Sequence, residues 1–212
     1  MKHNRSKPHF LIAFAFLAVA ISSIQAATIL DGNFENPALP SNSSQGYTNS
    51  QTIGGAWLVL ASVGSGVSLV NGSAGLPATP DGNQFLFFSD GIRQTSLVQN
   101  ISGSLSGGEV FFIQFLQTTF LNSTVFGRVN LQVSPTAGGA AIYNNDFYVL
   151  GVTSWIEQTA TISVPTTGSY TMSFTSFPGT VGAIDRVAIV PEPSTICFLL
   201  IGVTLLSTRK MA

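Results

Sequence analysis

From about residue 27 to residue 190 the chain alternates short apolar runs with clusters of Gly, Ser, Thr, Asn and Pro. No window of twelve or more residues carries a 3.6-residue period. That pattern predicts strands. A short one at Thr28–Leu30 runs into Asp31-Gly32-Asn33-Phe34-Glu35. Ala56–Val63 and Val67–Val70 flank Gly64-Ser65-Gly66, which reads as a hairpin turn. Gln84–Phe88 and Ile92–Val98 come next. Val110–Phe120 (VFFIQFLQTTF) is apolar on both faces at first and belongs inside a sheet. Gly127–Ser134 alternates cleanly, with Val129, Leu131 and Val133 opposed to Arg128, Asn130 and Gln132, so one face is core and the other meets water. Phe147–Leu150, Trp155–Val164, Ser169–Phe177 and Val181–Val190 complete the set. In the closing strand Ile184, Arg186, Ala188 and Val190 share one side. Asn36–Ser50 and Asn71–Gly82, polar and holding two prolines each, read as surface loops. The expected fold is all-β, a sandwich of about nine or ten strands.

The two ends break this pattern. Lys2, Arg5 and Lys7 precede an apolar run from Phe10 to Ile21 and a small-residue stretch ending at Ala26-Ala27, the layout of a secretory signal peptide cut after Ala26. At the other end, Pro191-Glu192-Pro193 precedes an apolar run whose core, Ile196–Leu206, has 11 residues, with Arg209 and Lys210 behind it. At about 1.5 Å per residue this run covers about half of a roughly 30 Å hydrocarbon layer, so it is a marginal anchor; a tail that is read, cut and replaced fits the same layout. The expected division is a signal helix over 1–26, a β-sandwich over 27–190, and a sorting segment with a short hydrophobic helix over 191–212.

Charge and composition then narrow the chemistry. Between residues 27 and 190 stand three arginines, Arg93, Arg128 and Arg186, against eight carboxylates, a net charge of −5. Both histidines, every lysine and Cys197 lie in the end segments. Nucleic acid and anionic lipid, which require clustered cations, are excluded as expected partners. Without histidine or cysteine the domain lacks the parts for Ser-His-Asp or Cys-His catalysis and the preferred zinc ligands. Glycosidase chemistry would need two carboxylates across a cleft, and no strand carries two acids on one face. The expectation is therefore a protein that is not an enzyme, with a polysaccharide-degrading enzyme as the remote alternative.

Val190 to Thr195 (VPEPST), the apolar run and the Arg-Lys end together resemble the PEP-CTERM sorting signal of Gram-negative bacteria that make extracellular polysaccharide. The resemblance covers about a tenth of the chain. It implies recognition of Pro191, Glu192 and Pro193, with Arg209 and Lys210 as the basic end, by an exosortase, an integral-membrane cysteine transpeptidase. It also implies export through the inner membrane, transient residence there, and a final place in the cell envelope or the extracellular matrix of a biofilm.

A second resemblance spans roughly Leu30 to Val190. DGNFENP, DGNQFLFF followed by GIRQTSLVQNIS, and AIDRVAIV are similar to the short motifs of the galactose-binding-like jelly roll, a fold shared by many carbohydrate-binding modules. In that class a structural calcium ion ties the first strand to the last. The resemblance carries this role onto Glu35 and Asp185, and Asp31 stands as a third oxygen donor; Arg186 occupies a place where a second acid is common. Glycan binding would need exposed aromatic rings beside polar groups, for which Tyr47 and Tyr143 in polar loops, and Trp57 at a strand start, are the candidates. Two functions follow: a structural or adhesive matrix protein, or a calcium-stabilised module that binds extracellular polysaccharide.

Overall fold

The computed structural model describes residues 27–72, 76–79, 82–88, 93–120, 126–152 and 154–191. The expected signal helix and the sorting residues Glu192, Pro193, Arg209 and Lys210 lie outside the described residues. Twelve strands form two antiparallel six-stranded sheets. They are β1 (Ser43–Tyr47), β2 (Thr52–Ile53), β3 (Trp57–Ala61), β4 (Val67–Asn71), β5 (Gln84–Phe88), β6 (Thr95–Asn100), β7 (Val110–Thr118), β8 (Gly127–Pro135), β9 (Tyr143–Val149), β10 (Ile156–Ser163), β11 (Tyr170–Ser176) and β12 (Gly182–Pro191). One sheet runs β1-β4-β5-β12-β7-β10 and the other β2-β3-β6-β11-β8-β9. The all-β sandwich expected from the alternation is present, and the apolar β7 lies inside its sheet between β12 and β10.

The differences have local causes. A short strand, β1, occupies the expected loop Asn36–Ser50, because Ser43–Tyr47 pairs through its backbone with β4 although its side chains are mostly polar, and the two-residue β2 follows before Trp57. The start of β9 is hidden in the same way by Tyr143-Asn144-Asn145-Asp146. Gly64-Ser65-Gly66 does not close a hairpin: β3 pairs with β6 and β4 with β5, so this turn carries the chain from one sheet to the other. Thr28 makes only an isolated bridge to Ser102. The regular alternation of β12 is broken by a bulge between Asp185 and Ala188, with Arg186 at φ 52°, a left-handed conformation uncommon for a residue with a Cβ.

The two inner faces enclose one core, threaded by aromatic rings. Phe34 packs on Trp57 at 5.5 Å, Trp57 on Phe174 of β11 at 6.2 Å, Phe174 on Phe115 of β7 at 4.9 Å, and Phe115 on Phe147 of β9 at 5.1 Å. The tilted and edge-on geometries are those that the ring quadrupole favours. This chain of rings crosses from one sheet to the other.

Residues 30–39 make no strand, so their backbone groups need other partners. Gln99 of β6 pairs with Leu30 in both directions, donating to its carbonyl at 2.8 Å and accepting from its amide at 3.1 Å. Gln84 of β5, almost fully buried, donates to the carbonyls of Phe34 and Pro37 and accepts from the amide of Leu39. The Glu35 carboxylate accepts from the amides of Asn83 and Gln84 at 2.7 and 2.9 Å. Trp57 donates its indole N–H to the Asp31 carbonyl, and the Val187 amide donates to the Gly32 carbonyl. This strap is thus fastened to both sheets. Gln84→Leu keeps the volume but leaves one amide and two carbonyls unpaired, so it should cost about 3 kcal/mol of unfolding free energy. Denaturant titration, with limited proteolysis expected to cut first between residues 31 and 39, measures this.

Candidate functional site

The strap gathers the residues expected to hold calcium, and it does so only in part. Asp31 and Glu35 are close enough for their charges to interact. Burial pushes the Asp31 carboxyl above its ordinary range, against the amide hydrogen bonds of Asn36 and Glu35, and the Glu35 charge adds to the rise. Asp31 Oδ1 accepts from the Asn36 amide, while Oδ2 is buried with no hydrogen-bond partner. Gly54 lies against that oxygen, and a Cβ there would collide with it. Asp185 is fully buried at the β12 bulge, its Oδ1 accepting from the Arg186 amide. Among the described residues no three Asp, Glu, His or Cys side chains are grouped to hold a metal. One feature nevertheless suits a hard cation: Asp31 Oδ2 is a buried carboxylate oxygen in need of a partner.

The aromatic residues selected from sequence fall elsewhere than expected. Trp57 is fully buried, with its indole hydrogen-bonded inside the strap, and Tyr47 ends β1 with 6% exposure. Neither presents a ring face to solvent, which corrects the exposure expected of Tyr47 and places Trp57 in the core, where its position at the start of an apolar strand favoured it. Tyr143 opens β9 instead of lying in a loop, and it packs against the core. Tyr47 and Tyr143 share a reason: each stands on the inward parity of a strand whose polar neighbours resemble loop sequence.

The outer face of the β2-β3-β6-β11-β8-β9 sheet holds a different set. The register of β8 and β9 places Arg128 opposite Tyr148, Asn130 opposite Asp146 and Gln132 opposite Asn144. All six alternate with the buried Val129, Leu131, Val133, Phe147 and Val149 or neighbour them across the ladder. Asp146 collects three donors: Arg128 at 2.5 Å, Asn130 at 3.0 Å and the Tyr148 hydroxyl at 3.2 Å. Asn130 also donates to Asn144 at 2.8 Å, and Gln132 to Ser134 at 2.9 Å. The Arg128 guanidinium lies 3.8 Å from the ring centre of Phe177 and 5.7 Å from that of Tyr148. Partial burial pushes the Asp146 carboxyl up, but the hydrogen bonds from Arg128, Asn130 and Tyr148 and the guanidinium charge outweigh it and hold the group below its ordinary value. The same pair raises Arg128.

Chemically the face is an ordered row of amide, carboxylate and hydroxyl groups with exposed rings at one end. Tyr148 was legible in principle, because Phe147 and Val149 on the core side leave it outside; the weakness of a four-residue apolar run concealed it. Asp146 is held in an ion pair with Arg128.

No family model and no curated protein matches the chain. Among solved structures it is similar to an arabinose-bound α-L-arabinofuranosidase, with 12% identity and a TM-score of 0.55 over 78% of this chain and 26% of that one. The chain thus spans about a quarter of the length of that enzyme. A CBM4 structure aligns over 77% of this chain and 99% of its own, with 15% identity and a TM-score of 0.49. A CBM61 module in complex with β-1,4-galactotriose aligns over 64% and 88%, with 19% identity and a TM-score of 0.47. At 12% identity the likeness to the arabinofuranosidase structure is one of fold alone.

Because Asp146 is held below its ordinary pKa of 3.8, its ion pair stabilises the fold fully at neutral pH and loses that contribution as pH falls from the unfolded value through the folded one. The melting temperature of Asp146→Asn should lie slightly below that of the wild type at pH 7, by an amount equivalent to about 1 kcal/mol or less for a partly exposed pair. The two should converge as the pH falls below 3.8 and through the lowered folded-state value.

Proposed function

We propose that this is an exported, non-catalytic glycan-binding protein of the cell envelope or extracellular matrix, which holds polysaccharide on the outer face of the β2-β3-β6-β11-β8-β9 sheet. The carrying observation is the ordered row Asn144, Asn130, Asp146 and Arg128 beside the exposed ring of Tyr148. Glycan recognition asks for fixed hydrogen-bonding groups next to an aromatic surface, and this face supplies both on paired strands. The carbohydrate-binding modules among the structures of similar fold agree with the reading. The absence of histidine and cysteine from residues 27–190 supports a role in binding rather than catalysis.

The addresses at the two ends complete the proposal. Residues 1–26 direct export, and the PEP-CTERM-like segment from Pro191 presents Glu192, Pro193, Arg209 and Lys210 to an exosortase at the inner membrane. β12 reaches Pro191 in register with Phe111, so the domain and the sorting segment are joined with no linker. Asp31 and Glu35 of the strap and Asp185 of the β12 bulge, with backbone carbonyls, would hold calcium and so stabilise the join between the first and last segments of the domain.

Three measurements test these elements. The exported protein should be retained on at least one polysaccharide of a glycan array, and loss of all retention would remove the glycan reading. The intact mass of protein recovered from its native surface should lack residues 1–26 and 194–212; a surface product that keeps 194–212 would remove the processing step. Calcium should raise the melting temperature relative to chelator, and Asp31→Asn should abolish the difference; an identical midpoint in both solutions would eliminate the ion.

A further inference from the structure

The glycan-binding reading leaves open which kind of glycan the face accepts, and the charge at its aromatic end bears on that. The β8–β9 ladder closes on Gly127 opposite Val149, so Phe126 and Leu150 directly adjoin its end, two residues from Arg128 and Tyr148. Phe126, Tyr148 and Leu150 are 53%, 56% and 50% exposed, an unusual concentration of large apolar side chains at one corner of a sheet. Between them the Arg128 guanidinium is flat against Phe177 and bonded to Asp146. The corner is therefore apolar and aromatic, with a cation whose charge is already balanced.

No other described cation shares this face. Arg93 donates to the Val63 carbonyl after β3, and Arg186 sits at the bulge of β12 in the opposite sheet. Residues 27–190 contain no lysine and carry a net charge of −5. A glycan with carboxylate, sulfate or phosphate groups would meet repulsion from the domain as a whole and from the Asp146 carboxylate beside Arg128, with which it would have to compete for the guanidinium. A neutral sugar meets neither penalty. It can lay an apolar ring face on Tyr148 and Phe126 while its hydroxyls exchange hydrogen bonds with Asn130, Asn144 and Gln132, whose amides offer both donors and acceptors.

We infer that this corner selects uncharged polysaccharide, with Tyr148 and Phe126 as the stacking surface and Asp146 as the positioning residue that withholds Arg128 from anionic ligands. The inference rests on the glycan-binding reading of the face. It makes Asp146 a specificity determinant: removing its charge while keeping its shape frees the guanidinium for an acidic sugar.

The test uses the exported protein on an array that carries both neutral polymers, such as xylan, galactan and mixed-linkage glucan, and acidic ones, such as polygalacturonate and alginate. The wild type should be retained on neutral polymers only. Tyr148→Ala and Phe126→Ala, both at exposed positions and checked for an unchanged melting temperature, should each weaken that retention about tenfold. Asp146→Asn should gain retention on polygalacturonate, and the double variant Asp146→Asn with Arg128→Gln should lose it again. Wild-type retention on acidic polymers that Arg128→Gln abolishes would overturn the selectivity and leave the glycan-binding reading standing. Neutral retention unmoved by Tyr148→Ala and Phe126→Ala, or no gain by Asp146→Asn, would also overturn it. No retention on any polymer would overturn both.

Discussion

The fold depends on how the stretch from Leu30 to Leu39 is satisfied. It passes over the sandwich without joining either sheet as a strand, and a covered backbone without hydrogen bonds costs about 1–3 kcal/mol per group. Two glutamines remove that cost. Gln99 gives Leu30 the donor and acceptor that a neighbouring strand would have supplied, and Gln84 serves Phe34, Pro37 and Leu39 from the first position of β5. A primary amide suits this work because it carries two donors and an acceptor in one plane without a charge to bury. With Trp57 and Gln99 on one sheet and Gln84 and Val187 on the other, the strap fixes the sheets relative to each other as well as covering their end.

Two close approaches make that strap compatible with the closing strand. A Cβ on Gly32 would run into the Val187 carbonyl, and a Cβ on Gly54 would run into Asp31 and the Asn36 carbonyl. Both glycines are positions where the backbone comes too near for any side chain. The bulge at Asp185–Ala188 turns the Val187 amide toward the Gly32 carbonyl, which a regular ladder would have committed to a neighbouring strand. The left-handed Arg186 belongs to the same adjustment. The I-D-R-V sequence therefore marks a place where the last strand leaves its regular path to receive the first segment of the domain.

Much of this was written in side-chain alternation, and the exceptions share a cause. β8 and β11 were legible because their inward residues are large and their outward ones polar, so a period of two is visible, and β7 because its apolar residues fall on both faces, as an interior strand requires. β1 and the first half of β9 were not, since SSQG and YNND carry nothing apolar enough to mark a buried side, and backbone pairing with β4 and β8 alone makes them strands. That misreading propagated to the site. Tyr47 and Tyr143, taken for loop residues, follow the inward parity of their strands, and Tyr148 follows the outward one. The glutamines at 84 and 99 stood in motifs that pointed to the fold, but their partners lie 45 to 69 residues away, beyond the reach of any local pattern.

The same alternation explains why the outer face can be rigid enough to recognise a ligand. Several polar residues on β8 and β9 sit between two core residues: Asn130 between Val129 and Leu131, Gln132 between Leu131 and Val133, Tyr148 between Phe147 and Val149. Phe147 is fixed against Phe115 of the opposite sheet, so the backbone that carries Tyr148 and Asp146 is held by packing across the full thickness of the sandwich. Asp146 then orders what remains mobile, drawing Arg128, Asn130 and the Tyr148 hydroxyl to one carboxylate. Side chains already held in place lose little freedom when a ligand arrives, and the loss avoided is of the order of 0.5–1.5 kcal/mol for each rotamer-rich chain. Binding on such a surface therefore draws on the stability of the core. A substitution that loosens Phe115 or Phe147 without touching the face should weaken binding by releasing that order, even though no contact with the ligand is lost.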